Sequence, residues 1–409
     1  MNLRNWICCQ IGAREHYAIP RALVKQGRLA GLITDVWVEP RLLKLLPANY
    51  LASWRSRFHP ELADTKVCSF NRSLYQFELS QKIARSSSWR TIVDRNQWFQ
   101  ARALEVLSTQ SCFDSDRLTL FAYSYAALEL FKYAKHRGWR TVLGQIDAGI
   151  THQEILDREA NRYPHYQQQT KSVPNFYWRN WLAECRLADH IIVNSNWSKQ
   201  ALEQQQIPSS KIETIPLAYQ FSTAKQFTKV YPQKFTCKRP LKVLYLGRVT
   251  LGKGIAALFE AIEMMQTQPI EFQIVGSLQI NVPPHIKANT RVKFLGSVPR
   301  NYTYLYYQQA DVFIFPTLSD GFGLTQLEAQ AWKLPVIASR HCGAVVKDRI
   351  NGLILPNITA ADIAKTLTFC RQNPEQLSVF SQNSPQILAD FSQSNLIRNL
   401  MSIDAGLHI

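Results

Sequence analysis

The sequence predicts an α/β protein made of two doubly wound, Rossmann-like domains that face a central cleft. The chain has 409 residues, which is more than a single core usually holds. Nearly continuous apolar runs alternate with helical patterns, as in a parallel sheet covered by helices on both faces. A polar, basic stretch without periodicity divides the two halves. We therefore predict a first domain over 1–218, a linker over 219–240, a second domain over 241–385, and C-terminal helices over 386–409 that pack back on the first domain.

The strands of the second half are the easier ones to place. The run LKVLYLG at 241–247 is apolar throughout, as expected of a strand buried on both faces. A glycine-containing loop and the helical pattern GIAALFEAIEMMQ follow it. Further strands are predicted in order at IEFQIVG (270–276), VKFLG (292–296), DVFIFPT (311–317), PVIAS (335–339) and GLILP (352–356).

The first half repeats this alternation. Strands are predicted at NWICCQIG (5–12), GLITDVWV (31–38), LTLFAYS (118–124), RTVLGQID (140–147) and HIIVNS (190–195). The pair Cys8 and Cys9 lies inside the first of these runs, which indicates a buried strand. Asn196 or Ser198 is predicted to cap a helix that begins around Lys199.

Cysteine usage and hydropathy predict a cytoplasmic protein. The eight cysteines form no CxxC pair and no regular spacing, so neither a metal site nor a disulfide framework is indicated. The N-terminal apolar run is broken by polar residues, unlike a signal peptide. The sequence has no apolar stretch of about 18 residues, the length that spans a membrane.

The positive charge is concentrated in the first half. Residues 1–240 carry 33 Lys and Arg against 19 Asp and Glu, a net charge of +14, whereas 241–409 carry 14 against 11, a net charge of +3. Two basic amphipathic stretches, 41–62 and 86–108, either lie on an anionic membrane surface or pack as helices on their own domain. Nucleic-acid binding would rest on charge alone, because no aromatic–basic repeat or known module is present.

A glycine-rich loop with two cations follows the first strand of the second half. Arg248 comes directly after the strand, and Lys253 precedes the next helix. The glycines Gly247, Gly252 and Gly254 allow a tight turn and a close approach of the backbone to a ligand. Cations beside a helix N-terminus at the carboxyl end of a parallel strand bind a diphosphate; the alternative is a pair of surface charges on a loop.

A second loop, with the segment DGFG at 320–323, carries two acids. Glu328 lies on the apolar stripe of the following helix, where a hydrophobic residue is expected. It either satisfies a buried backbone donor or faces the crevice and accepts hydrogen bonds from ligand hydroxyls, such as a ribose diol. Asp320 is either an ordinary Asp-Gly turn or a carboxylate that binds sugar hydroxyls and stabilises positive charge at an anomeric carbon.

These two motifs in this order resemble family 4 of the retaining glycosyltransferases, the glycosyl transferases group 1, which have the GT-B fold. The first family motif, Gly-Arg, four residues, Lys-Gly, reads here from Gly247-Arg248 to Lys253-Gly254. The second has two acids separated by seven residues, here Asp320 and Glu328. The segments FQIVGS, VKFLGSVP, ADVFIFPT and LPVIAS also follow the family's order, so the resemblance covers about 183–370 well and 1–182 in outline.

The resemblance implies a retaining, metal-independent transfer of a sugar from a nucleoside diphosphate sugar to an acceptor. No cofactor is implied, and the donor is a substrate. Arg248 and Lys253 would bind the diphosphate, Asp320 would act against the transferred sugar, and these three are the implied catalytic residues. Glu328 would hold the ribose. The remaining implied donor-binding residues are Gly12, Gly247, Gly276, Val298, Phe322, Gly323, Leu324 and Thr325.

Three points depart from the family or stay open. Asp320 is shorter by one methylene than the glutamate that the family has there. The family's cleft histidine, which follows a strand of the first domain, has no clear counterpart; Asp147, Gln145, His152 and His16 are candidates, and we assign His16 and Asp147 to the cleft or the acceptor. The acceptor is a sugar, a lipid-linked molecule or another hydroxyl compound at the inner membrane face. The alternative function is a degenerate GT-B protein that binds nucleotide or an active partner without catalysis.

Overall fold

The computed structural model describes residues 4–41, 54, 57–83, 88–110, 113, 117–166, 173–220 and 227–405. Most of the basic stretch predicted at 41–62 therefore lies outside the described residues, as does part of the predicted linker. Within the described part of the chain, the strands form two separate sheets, and every strand pair in them is parallel.

The first sheet has seven strands in the order β3-β2-β1-β4-β5-β6-β7. Its central strands are buried on both faces, which explains their unbroken apolar runs. Cys8 of β1 pairs with Leu32 on one side and with Phe121 on the other, so the Cys8-Cys9 pair is in a buried strand as predicted. The strands are β1 Asn5–Gln10, β2 Leu29–Thr34, β3 Val67–Ser69, β4 Leu118–Tyr123, β5 Arg140–Gln145, β6 His190–Val193 and β7 Ile212–Thr214.

Helices cover both faces of this sheet. The basic segment predicted at 86–108 is helix α3, and its apolar residues Phe99, Ala103 and Leu107 are buried in the domain core. The apolar face of that segment therefore packs on its own domain. The helices are α1 Ala18–Lys25, α2 Asn71–Ile83, α3 Ser88–Thr109, α4 Leu128–His136, α5 Ile150–Arg162, α6 Asn175–Leu187 and α7 Asn196–Gln204.

The prediction that Asn196 or Ser198 caps α7 is wrong. The helix begins at Asn196, and Ser195 is its N-cap. The Ser195 hydroxyl accepts a hydrogen bond from the Ser198 amide at 3.1 Å. Ser195 is in the extended conformation that a capping residue requires. Both predicted caps are inside the helix.

The second sheet has six strands in the order β10-β9-β8-β11-β12-β13. The strands are β8 Leu241–Leu246, β9 Ile270–Val275, β10 Val292–Gly296, β11 Val312–Phe315, β12 Val336–Ala338 and β13 Gly352–Ile354. The helices that accompany them are α8 Ile255–Met264, α9 Pro284–Lys287, α10 Thr303–Gln309, α11 Leu324–Ala331, α12 Ala360–Gln372, α13 Pro374–Leu388 and α14 Gln393–Ala405.

The last helix returns to the first domain. Leu396, Leu400 and Ile403 of α14 are buried in the same apolar cluster as Tyr17 and Ala22, which lie at the start of the chain. Helix α13, in contrast, packs on α11 of the second domain and runs through the predicted boundary at residue 385. The chain thus crosses between the domains after β7 and again between α13 and α14.

The two domains contact each other along the carboxyl ends of their sheets. Trp197 Nε1 donates a hydrogen bond to Ser319 Oγ at 3.2 Å, and the Asn281 amide donates to the Tyr166 carbonyl at 2.9 Å. In each sheet the strand order reverses at one point, between β1 and β4 and between β8 and β11. Ligands of open α/β sheets bind at such points. None of the helices described has the length and hydropathy that crossing a bilayer demands.

Candidate active site in the interdomain crevice

Two loops meet where the order of the second sheet reverses. One follows β8 and contains Gly247, Arg248 and Lys253; the other follows β11 and contains Asp320. Gly276, at the end of the adjacent strand β9, has φ +143°, and a Cβ there would lie 1.8 Å from the Gly247 carbonyl oxygen. Only glycine permits this approach of two loop backbones. Gly247 and Gly276, which were predicted to bind the donor, therefore also have a structural role, because they let the two loop backbones pack together.

Lys253 and Asp320 form an ion pair across the two loops. The Lys253 ammonium contacts Asp320 Oδ2, and both side chains are about one-fifth exposed. Gly254 brings the loops together, because it has φ +70° and a Cβ there would be 1.9 Å from the Pro316 carbonyl oxygen. Asp320 Oδ1 accepts a hydrogen bond from the Phe322 amide at 3.2 Å. The first acid of the motif and the lysine of the other motif thus share one site.

The segment at 321–323 is packed on both sides. A Cβ on Gly321 would lie 2.1 Å from the Ile146 carbonyl oxygen, so this loop touches the first domain. Gly323 has φ +84° and faces the Phe315 ring. The Phe322 ring is 3% exposed and packs on Phe391 with centroids 5.9 Å apart. The Phe322 side chain therefore anchors the loop in the core, and Phe322 also lines the crevice.

The crevice between the loops and the first domain has a volume of about 380 Å³. Of the residues predicted from sequence, it is lined by Gly247, Arg248, Lys253, Asp320, Phe322, Gly323, Leu324 and Thr325. The first domain contributes Arg14, Glu15, Ile146 and Asn194, none of which the sequence singled out. Burial raises the pKa of Glu15, whereas the nearby Tyr123 hydroxyl, the Arg14 charge and the hydrogen bond from Asn194 Nδ2 lower it.

Glu328 lies in a neighbouring cluster of side chains. It is 9% exposed and accepts hydrogen bonds from Tyr307 Oη at 2.9 Å and from Arg300 Nη2 at 3.1 Å. Burial and the Glu328 charge raise the pKa of Tyr307 well above its usual range. The carboxylate thus occupies an apolar stripe position because two side-chain donors satisfy it. Sequence reasoning had weighed only a backbone donor or a ligand as its partner.

Arg300 also reaches the first domain, where it contacts the His16 imidazole. Partial burial first, and then the charges of Arg300 and Arg21, lower the pKa of His16 to about 4. His16 stands between Glu15 and Tyr17, and all three have a left-handed backbone with φ of +53°, +53° and +58°. Such consecutive left-handed non-glycine residues are costly and mark a constrained turn at this contact.

Two other predicted residues have partners within the first domain. The Gly12 amide, predicted to approach the phosphates, donates to Asp35 Oδ1 at 2.8 Å. Asp147 Oδ1 accepts hydrogen bonds from Tyr125 Oη at 2.6 Å and from the Gly149 amide at 2.9 Å. Asp147 follows β5 and lies next to the Asp320 loop, since a Cβ on Gly321 would be 3.4 Å from its Cα.

His152 lies close enough to both loops for their charges to shift its pKa. Burial lowers its pKa, Asp147 and Asp320 raise it, and Lys253 and Arg248 lower it. Among the described residues its Nδ1 has no hydrogen-bond partner.

Val298, predicted to flank a base, is half-buried and packs on the apolar cluster beneath β9 and β11.

The arrangement combines two cations, a carboxylate beside them and a second carboxylate held by a phenol and a guanidinium. Cations on a glycine-rich loop before a helix suit a diphosphate, and paired carboxylates suit hydroxyl groups. No cluster of three or more His, Cys, Asp or Glu suited to a metal ion occurs in the described ranges.

Comparisons with known proteins bear on the family and the fold of the chain. Residues 240–373 match the family model of glycosyl transferases group 1. The amylovoran biosynthesis glycosyltransferase AmsK of Erwinia amylovora is 26% identical over 196 residues, which are 42% of this chain and 48% of AmsK. The alpha-monoglucosyldiacylglycerol synthase of Acholeplasma laidlawii is 32% identical over 150 residues, 34% of this chain and 37% of the synthase. The chain thus spans about half or less of these curated relatives.

The fold extends over both domains. The crystal structure of Anabaena HepE in complex with UDP matches with a TM-score of 0.61, covers 98% of this chain and 100% of HepE, and is 13% identical in sequence. At that identity the match shows the fold, which is GT-B. Residues 240–373, within the second domain, are thus similar to the glycosyl transferases group 1 family, and the two-domain chain has the GT-B fold.

Proposed function

We propose that the protein is a family 4 glycosyltransferase that moves a sugar from a nucleoside diphosphate sugar to an acceptor hydroxyl, with retention at the anomeric carbon. The observation that carries the proposal is the meeting of Arg248, Lys253 and Asp320 at the reversal point of the second sheet, beside the crevice of about 380 Å³. HepE, with the same fold, was solved with UDP and with UDP-glucose. UDP-sugars are therefore the first donors to test.

In this proposal the two cations bind the diphosphate. Lys253 exchanges part of its contact with Asp320 for a phosphate oxygen, and Arg248 neutralises the charge that builds on the departing nucleotide. The bond between the anomeric carbon and the phosphate oxygen breaks, and its electron pair leaves with the diphosphate. The acceptor oxygen bonds to the same face of that carbon, and its proton passes to the diphosphate oxygen. This chemistry requires no metal or cofactor.

The two carboxylates have separate roles. Asp320 stabilises the positive charge that develops at the anomeric carbon and orients the sugar hydroxyls. Glu328 binds the ribose diol, which displaces Arg300 from Oε1 while the Tyr307 hydroxyl keeps Oε2 in place. The shorter side chain of Asp320 selects a donor sugar that sits deeper in the crevice than a glutamate would allow.

We also propose where the acceptor binds and where in the cell the protein acts. We place the acceptor on the first domain, across the crevice from the donor, and the protein in the cytoplasm at the inner face of the membrane. The net charge of +14 in residues 1–240 supports attraction to an anionic surface. Flotation with vesicles containing anionic lipid tests it: protein that stays at the bottom at low salt argues for an acceptor in solution.

The experiment that tests the function combines binding and turnover. Purified protein is titrated with UDP and other nucleoside diphosphates, and nucleotide release from a panel of their sugars is then followed. Lys253→Ala is expected to weaken diphosphate binding about tenfold, through the loss of a charge-assisted contact. Lys293→Ala, which removes an exposed lysine on β10, is the matched control.

Variants of the two acids separate catalysis from binding. Asp320→Ala and Glu328→Ala are each expected to abolish turnover while the thermal transition of the protein persists. A wild-type protein that binds nucleotide but never releases it from any sugar donor would support the non-catalytic alternative. Normal turnover in either acid variant would refute the assigned role of that residue.

A further inference from the structure

A second cavity, of about 170 Å³, lies at the carboxyl ends of β1, β4 and β5 in the first sheet. This is where the strand order of that sheet reverses, the place at which such sheets bind ligands. Arg14 and Ile146 line both this cavity and the interdomain crevice. A molecule bound in the cavity would therefore lie next to one bound in the crevice.

Several buried polar atoms on the cavity lining have no hydrogen-bond partner in the described part of the chain, and two of them belong to Gln10 and Ser124. Gln10 is 1% exposed, and its Oε1 makes no hydrogen bond to any described residue. Ser124 is 3% exposed, and its Oγ is likewise unpartnered among those residues. An unsatisfied buried polar group costs about 1–3 kcal/mol, so such groups require an explanation. A ligand with hydroxyl groups in the cavity would satisfy both.

The carboxylate of Asp147 on the lining is oriented by three donors. Tyr125 Oη, the Gly149 amide and Gln145 Nε2 all donate to Oδ1, at 2.6, 2.9 and 3.0 Å. Their convergence on one oxygen fixes the carboxylate and leaves Oδ2 without a hydrogen-bond partner in the described part of the chain. Since Asp147 lines the cavity, Oδ2 can accept a hydrogen bond from a ligand hydroxyl there.

The loop that follows β4 is held in a strained shape. Tyr125 has φ +75°, a conformation that costs about 1–3 kcal/mol for a residue other than glycine. Its amide donates to Glu184 Oε2 at 2.7 Å, and Glu184 is itself 1% exposed. The Tyr125 ring stacks on Tyr177 with centroids 4.9 Å apart. The buried glutamate therefore keeps this aromatic wall and the hydroxyl that orients Asp147 in place.

The charges of the lining do not suit a phosphate. Asp147 would repel an anion, and the Arg14 guanidinium lies over the Tyr123 ring, 5.5 Å from its centroid. Phe99, Tyr125 and Tyr177 supply apolar walls. A small pocket with aromatic walls and a few fixed polar groups suits an uncharged polyhydroxyl ring.

We propose that this cavity binds one neutral sugar ring, the reacting end of the acceptor, and that Asp147 positions its attacking hydroxyl through Oδ2. The inference rests on the proposed function and narrows its acceptor class. Where the acceptor carries a phosphate or a lipid, that part lies outside the cavity. Two hydroxyls of the ring form hydrogen bonds with Gln10 Oε1 and Ser124 Oγ. The attacking hydroxyl, held by Asp147, faces the donor sugar beside Asp320.

The test uses methyl glycosides of neutral hexoses as probes, with glucose 6-phosphate and glycerol 3-phosphate as anionic ones. Binding to the wild-type chain, with and without UDP, is followed by ligand-observed NMR and calorimetry. Asp147→Asn is expected to weaken the bound glycoside about tenfold, since it removes a hydrogen bond to a charged group. Ser124→Phe, which fills the cavity, is expected to abolish glycoside binding, and an unchanged thermal transition of each variant shows that it is folded.

Thr119→Val is the matched control, because Thr119 is fully buried on β4, its hydroxyl has no partner among the described residues, and it does not line the cavity. It is expected to bind the glycoside as the wild type does. Glycoside affinity that is the same in Ser124→Phe and the wild type, or binding of the anionic probes alone, overturns the proposal. The UDP titration on the same samples is independent: its failure, with glycoside binding intact, would count against the proposed function and not against the cavity.

Discussion

Gly321 offers a direct way to move the two domains apart without touching a charged group. Glycine there lets the Asp320 loop rest on the backbone of the first domain. In Gly321→Ala the new Cβ would lie 2.1 Å from the Ile146 carbonyl oxygen and 3.4 Å from Asp147 Cα. Ordinary contacts begin at 3.4 Å, so the loop or the domain must shift by about 1.3 Å.

The shift separates the cavity of the first domain from the donor crevice. A displacement of about 1 Å between reacting groups can lower a rate about 100-fold, so we expect transfer or donor hydrolysis to fall by that order. UDP affinity is expected to change less than about threefold, because the diphosphate cations belong to the second domain. The assay is nucleotide release at saturating donor, with calorimetry for UDP.

Gly138→Ala is the control for the added methyl group. Gly138 has φ +69°, and a Cβ there would have none of the described atoms outside its own turn within 4 Å, so the change strains the turn locally and leaves the crevice untouched. Its turnover is expected to equal that of the wild type. Unchanged turnover in Gly321→Ala would refute the argument, since it would mean that the contact with Ile146 does not set the reacting geometry.

Two further predictions concern buried or paired charges. Burial raises the pKa of Glu184 from its ordinary value of 4.5 to about 7, against hydrogen bonds from three backbone amides, which lower it. Because the folded pKa is the higher one, its stabilising contribution is present below about pH 4.5 and is lost as the pH rises through 7. The unfolding free energy of the wild type should fall by about 2–3 kcal/mol relative to Glu184→Gln between pH 5 and 8, as measured in urea; parallel pH curves would contradict this. Arg300→Ala should tighten UDP binding about two- to fivefold, because a partly exposed ion pair of about 0.5–1 kcal/mol no longer competes for Glu328. Weaker binding in calorimetry would show instead that the guanidinium contacts the nucleotide.

The sheets and the two site loops could be predicted because their signals are local. The apolar run at 241–247 and the glycines beside it predict a strand and a tight loop within a few residues. The position of Glu328 on an apolar stripe likewise indicated a carboxylate with a special environment. The identity of its partners could not be predicted, because Tyr307 and Arg300 come from a different strand–helix unit.

The cavity of the first domain was not predicted for the same reason. Its parts follow three strands that are far apart in sequence, and Glu184 lies on a helix that gives no sign of its three amide partners. Asp147 was selected from its place after β5, but its orientation depends on Tyr125. The left-handed turn at Glu15, His16 and Tyr17 could not be predicted either, because it contains no glycine, the residue that usually indicates this conformation.

The return of α14 to the first domain has a consequence for how the protein folds during synthesis. Leu396, Leu400 and Ile403 complete the apolar cluster around Tyr17 and Ala22, yet the ribosome makes them only after the whole second sheet. The nascent first domain therefore exposes an apolar surface on α1 until the chain has almost passed α14, and such exposed surfaces are prone to aggregation. We expect a chaperone to be needed during this interval more than after release.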